Sequence, residues 1–208
     1  SMKVARKEGY DEPFSKQDIK KMARLTKIVN YNEKFRVGDT TFTLWPSGHI
    51  PGSSSIMADC GKKVYYTSDI QTIDSHLLYK CRLPQKVDTL IIESTYGGRN
   101  HPPRENVEKN LVRILEETIQ RNEVALFPVF AIGRSQEVMM ILERYAHKIA
   151  LDGMAKLASE IIAGHGAYLR DARKFREILK KTMFVRSHED RIKAMKNRPI
   201  IISSAGML

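Results

Sequence analysis

The sequence predicts an α/β protein with two regimes: a meander of antiparallel strands, then helices alternating with parallel strands. Three observations predict it. Short β-prone runs separated by turn signals fill residues 34–66. From Asp88 onward, continuously apolar runs alternate with amphipathic helical patterns, as expected of a parallel layer covered on both faces. The period changes near Gly97-Gly98-Arg99, which sets two expected domains at 1–98 and 99–208.

Taken in order, a polar, basic opening leads to Ser15 and Asp18, which signal a capped helix through about Thr26. Ile19, Met22, Ala23 and Leu25 form its apolar side. Strands are expected at Lys34–Val37, Thr41–Leu44, Ser54–Ala58 and Lys63–Tyr66, with turns at Gly38-Asp39, Pro46–Gly52 and Asp59–Lys62. Thr89–Ile92, Val124–Phe130 and Pro199–Ile202 read as strands covered on both faces. Between them lie a helix with Val107, Leu111, Ile114, Leu115 and Ile119 on one side, and a second with Val138, Ile141, Leu142 and Tyr145. Leu169, Ala172, Phe175, Ile178 and Leu179 mark another.

Composition narrows the function. Thirty-five Lys and Arg against 24 Asp and Glu leave a net charge of +11, which favours a polyanionic partner, nucleic acid before anionic membrane. Residues 170–198 hold eleven Lys or Arg against four acids, and their helical spacing puts the charges on a solvated face more readily than on a phosphate-tracking stripe. Two cysteines, Cys60 and Cys81, make neither a metal motif nor a disulfide framework, which points to a reducing, cytoplasmic compartment. The longest apolar run, near Val124 to Ile132, is too short to span a bilayer. Ser1-Met2 reads as the remnant of a cleaved expression tag, and the chain is expected to be an internal piece that stops at the top of a core strand.

Three blocks carry the chemistry: Ser47-Gly48-His49-Ile50-Pro51-Gly52-Ser53, Tyr66-Thr67-Ser68-Asp69, and Leu90-Ile91-Ile92-Glu93-Ser94-Thr95-Tyr96-Gly97. Each delivers a polar ligand type at a strand end, where a scaffold aims it at a common cleft. Imidazole and carboxylates are the ligands of hydrolytic zinc sites, and an Asp can bridge two metals. Taken singly, each block is weak and reads more readily as a solvated loop or turn than as a metal ligand.

Their order and spacing resemble the second half of the metallo-β-lactamase domain of β-CASP RNA-processing nucleases. Phe127-Pro128-Val129-Phe130-Ala131-Ile132-Gly133-Arg134-Ser135-Gln136-Glu137, Leu151-Asp152-Gly153-Met154-Ala155 and the terminal Ile201-Ile202-Ser203-Ser204-Ala205-Gly206-Met207-Leu208 extend the resemblance to six blocks over roughly 160 residues. Archaeal homologues of the cleavage-and-polyadenylation endonuclease are the most similar, with ribonuclease J more distant. The resemblance implies a partial metallo-β-lactamase αββα-type sheet followed by an incomplete β-CASP α/β domain. It implies that His49 ligates one zinc, that Asp69 bridges two, and that Glu93 orients a catalytic histidine of the β-CASP domain. It also implies RNA as substrate, with Arg134, Ser135, Ser203 and Ser204 bordering the cleft at strand-to-helix turns, where helix N-termini favour phosphate. A plain helix cap by Ser135, with Arg134 and Glu137 making surface contacts, is the compatible structural reading of that block, and the phosphate role is the favoured one.

Departures qualify the resemblance. Ser68 stands where the family usually has Gly, and Trp45-Pro46-Ser47 precedes Gly48 where an Asp-Ala pair is common. The family's H-x-H-x-D-H run does not occur, nor do its later β-CASP histidines. His165 is read as a turn residue, and His76, His101, His147 and His188 as surface or capping residues. The expectation is a two-zinc RNA endonuclease, with possible exonuclease activity, of which this chain carries part of the active site. A second chain or a homodimer could supply the rest. The alternatives are a non-catalytic RNA-binding scaffold subunit and a metallo-β-lactamase acting on a small substrate.

Overall fold

A computed structural model describes residues 13–204. Helix α1 (Lys16–Leu25) starts where expected, with Ser15 and Asp18 in a reciprocal capping box. Among the described residues nothing covers it, and its expected apolar side lies open. The first sheet contains β1 (Lys34–Val37), β2 (Thr40–Pro46), β3 (Ser54–Asp59), β4 (Lys63–Tyr66) and β5 (Thr89–Ile91), in that spatial order. Strands β1 to β4 form the expected antiparallel meander. β5 then joins β4 in parallel, pairing Val64 with Thr89 and Tyr66 with Ile91.

The second half alternates helix and strand. It runs through α2 (Arg104–Gln120), β6 (Ala125–Val129), α3 (Arg134–Ile141), a 3-10 helix (Glu143–Lys148), β7 (Ile149–Asp152) and α4 (Ala155–Gly164). After another 3-10 turn come α5 (Ala172–Lys181), β8 (Met183–Phe184), α6 (His188–Asn197) and β9 (Ile200–Ser204). The sheet order is β6-β9-β7-β8, and every pairing is parallel. β9, the last strand in sequence, therefore inserts between β6 and β7. The helix expected from Val138 to Tyr145 breaks at Leu142, and Tyr145 falls in the 3-10 turn.

The main core lies on one face of this sheet. Ile149, Leu151, Ile200 and Ile202 are fully buried against Met139, Leu142, Phe175 and Ile178. The opposite face, Ala150 and Ile201, packs with Val185 and with Ala194 of α6. Leu77 and Leu78, from a loop of the first half, belong to the main core. Packing therefore crosses residue 98 through these two leucines. The basic face of α5 is solvated, with Phe175 and Ile178 inward.

Two strands depart from the expected two-sided cover. All three residues of β5 are exposed, and β6 alternates half-buried with exposed positions. Both are outermost strands of their sheets, whereas β7 and β9 are interior and buried throughout. Pro128 sits within β6. The Ala125 N–H donates to the Pro199 carbonyl across the β6–β9 pair, so by strand alternation Leu126 and Pro128 direct their nitrogens to the edge that is unpaired among the described residues.

Candidate active site

The loop from β2 to β3 is folded tightly around Ser53. Its hydroxyl donates to the Ile50 carbonyl at 2.7 Å, accepts from the Ile50 N–H at 3.1 Å and stands 2.7 Å from the Ser47 hydroxyl. Gly48 has φ +73°, and a Cβ there would meet the Cys81 nitrogen at 2.7 Å and the Tyr79 carbonyl at 2.9 Å. Only glycine lets the loop lie this close to residues 79–81. His49 follows at the turn, with its imidazole partly exposed.

Asp69 leaves the end of β4. The Thr67 N–H donates to the Ile91 carbonyl at 3.0 Å, and the Ser55 hydroxyl to the Thr67 carbonyl at 2.6 Å. Ser68 adopts φ +49°, the left-handed region, which accounts physically for glycine as the family's usual residue. Its hydroxyl donates to the Ser54 carbonyl at 2.7 Å, which helps hold the strained turn. Beyond Asp69 the chain is stitched to the His49 loop: the Gln71 N–H donates to the Ser47 carbonyl, the Cys81 N–H to Gln71, and the Arg82 N–H to Pro46.

These constraints bring His49 Nε2 to 3.8 Å from Asp69 Oδ2. Glu93, just past β5, lies at the neighbouring strand end, near enough for the His49 charge to act on it, but does not close a three-ligand cluster with His49 and Asp69. Its N–H donates to the Thr67 hydroxyl oxygen at 3.2 Å, and its carboxylate accepts from the Thr95 N–H at 2.8 Å. The Thr95 N–H, then the Thr95 hydroxyl, hold the Glu93 carboxyl below the usual carboxylate range, with the Ile70 backbone and His49 adding to the effect. Glu93 is thus a fixed, ionised acceptor beside the histidine. Two ligands of one tetrahedral zinc, each about 2.0–2.2 Å away, stand roughly 3.3–3.5 Å apart, so His49 and Asp69 fit a shared metal with little adjustment.

The start of α3 borders this site. Gly133 has φ +79°, and a Cβ there would lie 2.6 Å from Ile50 Cγ2 and 3.8 Å from the His49 carbonyl. Arg134, next in sequence, is exposed, and among the described residues no carboxylate pairs with it. The other three phosphate candidates are inside. Ser135 is buried and its hydroxyl donates to the Phe130 carbonyl at 2.7 Å. The Arg134 and Ser135 N–H groups donate to Ile132 and Phe130, so these helix-start donors are already engaged. The helix is capped by Gln136, whose carbonyl oxygen accepts from the Gly133 N–H at 2.7 Å, and not by Ser135. Ser204 is buried and accepts from the Ala155 N–H at 3.1 Å. Ser203 is buried without a hydroxyl partner among the described residues.

Sequence reasoning missed a second cluster. His76, Glu108 and Glu137 place ligating atoms within 4.8 Å of one another. Glu137 is not a surface residue but 5% exposed. Its carboxylate accepts from the His76 and Leu77 N–H groups at 2.9 and 2.8 Å and from the Arg104 guanidinium. Arg104 also donates to Glu108 at 2.6 Å, and Glu108 meets the His76 ring at 2.9 Å. The arginine already supplies the positive charge between the two carboxylates, so the cluster is an ion-pair knot rather than a metal centre. The acid in the first turn of α3 was legible in Gly133-Arg134-Ser135-Gln136-Glu137, but its partners lie 33 residues (Arg104) to 61 residues (His76) away.

No family model matches the chain. Relatives do. Probable RNase MJ4 of Methanocaldococcus jannaschii is 37% identical, over 100% of this chain and 51% of that protein. RNase aCSPSF2 of Saccharolobus solfataricus is 30% identical, over 96% of this chain and 42% of that protein. Cleavage and polyadenylation specificity factor subunit 3 of Dictyostelium discoideum is 33% identical, over 76% and 22% respectively. The chain spans about half the length, or less, of these relatives. At 30–37% identity over most of the chain, these relatives show that the chain belongs to the metallo-β-lactamase/β-CASP family of RNA nucleases.

Proposed function

We propose that the full-length protein is a zinc-dependent RNA endonuclease, with exonuclease activity as a second capacity, and that residues 1–98 and 99–208 are parts of its metallo-β-lactamase and β-CASP domains. The observation that carries this reading is the 3.8 Å approach of His49 Nε2 to Asp69 Oδ2, with the Glu93 carboxylate anchored by Thr95 at the neighbouring strand end. His49 and Asp69 would hold the metal, Asp69 bridging the two zinc ions of a complete site. Bound zinc supplies Lewis acidity and a water ionised near neutral pH. Glu93, already fixed by Thr95, would accept a hydrogen bond from a catalytic histidine and hold its tautomer. Arg134, exposed at the start of α3, would bind a backbone phosphate. Ser203 is fully buried and the hydroxyls of Ser135 and Ser204 are committed to the fold, so Arg134 carries the phosphate reading alone.

Two protein ligands are fewer than the three or four of a usual zinc site, so this chain alone should bind zinc weakly and cut RNA poorly. The remaining ligands would come from further sequence, a second chain or a homodimer, in a cytoplasmic protein. The decisive experiment measures zinc content and RNA cleavage of the chain with and without the rest of the protein. Cleavage that appears only in the complete assembly and is lost in Asp69→Ala supports the nuclease. An assembly that binds RNA yet neither retains zinc nor cuts would make the protein a scaffold subunit.

A further inference from the structure

We propose that Glu137 is a positioning residue, which fixes the His49–Asp69 half-site against the start of α3. The inference rests on those two residues being the metal half-site.

The contacts form a closed ring. The His49 loop packs on Gly133 through Ile50. Four residues along α3, the Glu137 carboxylate accepts from the N–H groups of His76 and Leu77. Those residues lie in the segment that begins at Asp69 and returns to the His49 loop through Gln71–Ser47 and through Gly48 against Cys81. Leu77 is anchored further by its carbonyl, which accepts from the Arg170 N–H at 2.9 Å, and by burial in the core. Glu137 is the polar closure of the ring. A buried carboxylate is a costly way to gain stability compared with an apolar side chain, but two successive N–H groups and a guanidinium give it a defined direction. What it secures is register between α3 and the Asp69 segment. Arg134, three residues before it, is set by the same closure.

An isosteric amide cannot replace it. Both carboxylate oxygens accept from backbone N–H groups, and one also accepts from Arg104. In Glu137→Gln the NH2 group must face a donor in either orientation, so at least one backbone bond is lost.

The test uses the full-length protein, its Glu137→Gln variant, and Arg104→Gln, which keeps both backbone bonds and removes only the guanidinium. Hydrogen exchange is read by peptide at residues 47–53, 69–71 and 76–77. In Glu137→Gln, exchange should rise about tenfold at 76–77 and severalfold at both 47–53 and 69–71, with the same pattern weaker in Arg104→Gln. RNA cleavage should show kcat reduced by up to about 10²-fold while KM stays within roughly threefold. Faster exchange confined to 76–77, with 47–53 and 69–71 unchanged, overturns the inference and leaves Glu137 a local tie. If the wild type cuts no RNA, the nuclease reading fails, while the exchange pattern still decides the positioning role. Should Glu137→Gln not fold, Arg104→Gln decides it on the same criteria.

Discussion

The two sheets use similar apolar runs to opposite effect. Ile200, Ile201 and Ile202 in β9 are at most 9% exposed, whereas Leu90, Ile91 and Ile92 around β5 are 53%, 50% and 56% exposed. The difference is position. β9 lies between two strands with helices on both faces, and β5 is an outermost strand without a covering layer among the described residues. Cohesion is concentrated in the second sheet. The first sheet carries the candidate chemistry at its strand ends and is held by loop hydrogen bonds and glycine contacts more than by a core of its own.

That contrast can be broken or sharpened by substitution. The largest effect is expected at Ile202→Ala, which removes a fully buried side chain and should lower unfolding free energy by about 2–5 kcal/mol in denaturant titration. A value below about 1 kcal/mol would mean that the second sheet is not the main source of cohesion.

Asp152, at the end of β7, comes next. Burial raises its carboxyl pKa, but the Arg191 guanidinium at 2.8 Å, the Gly153 N–H and Lys156 outweigh this and lower it. The folded value therefore lies below the unfolded one. Its contribution is complete above the ordinary Asp range and fades as pH falls from about 4 through the folded pKa. Asp152→Asn should cost about 1–3 kcal/mol at neutral pH and flatten the acid limb of a stability–pH profile. An unchanged acid limb would remove Asp152 from the account.

Smaller effects belong to the first sheet. Ser68→Gly relieves the left-handed backbone but gives up the bond to the Ser54 carbonyl, so stability should change by less than about 1 kcal/mol, read as Tm. A large loss would show that the hydroxyl, not the conformation, is what the turn requires. Ile91→Ala, on the open strand, should be the mildest, within about 0.5 kcal/mol. A core-sized loss there would show that β5 is covered in the full-length protein, and the contrast between the sheets would disappear.

Local signals were legible in the sequence. Ser15 and Asp18 cap α1 as read, the antiparallel meander follows from its turn residues, and the sequence singles out His49 and Asp69, whose 3.8 Å approach only the structure shows. Non-local features were not legible. β7 was missed as a strand because the four residues Ile149–Asp152 follow a 3-10 turn without the Gly or Pro that usually announces one. The cover of β5 and β6 was overestimated because an apolar run reports a strand but not its place in the sheet. Glu137 was read as a surface acid because its partners, His76 and Leu77, are joined to it only through tertiary structure. Ser135 illustrates the same limit: its hydroxyl turns inward to Phe130, a choice of rotamer that residue type does not reveal.

Pro128 carries a consequence for how the molecule behaves in a crowded solution. An outermost parallel strand is a template on which a second molecule can add its own strand, the first step toward fibrous aggregation. β6 would offer the nitrogens of Leu126 and Pro128 to such an arrival, and the second of these has no hydrogen to give. A five-residue edge left with one strand-interior donor is a poor template, so a single ring closure discourages self-association along this side of the sheet.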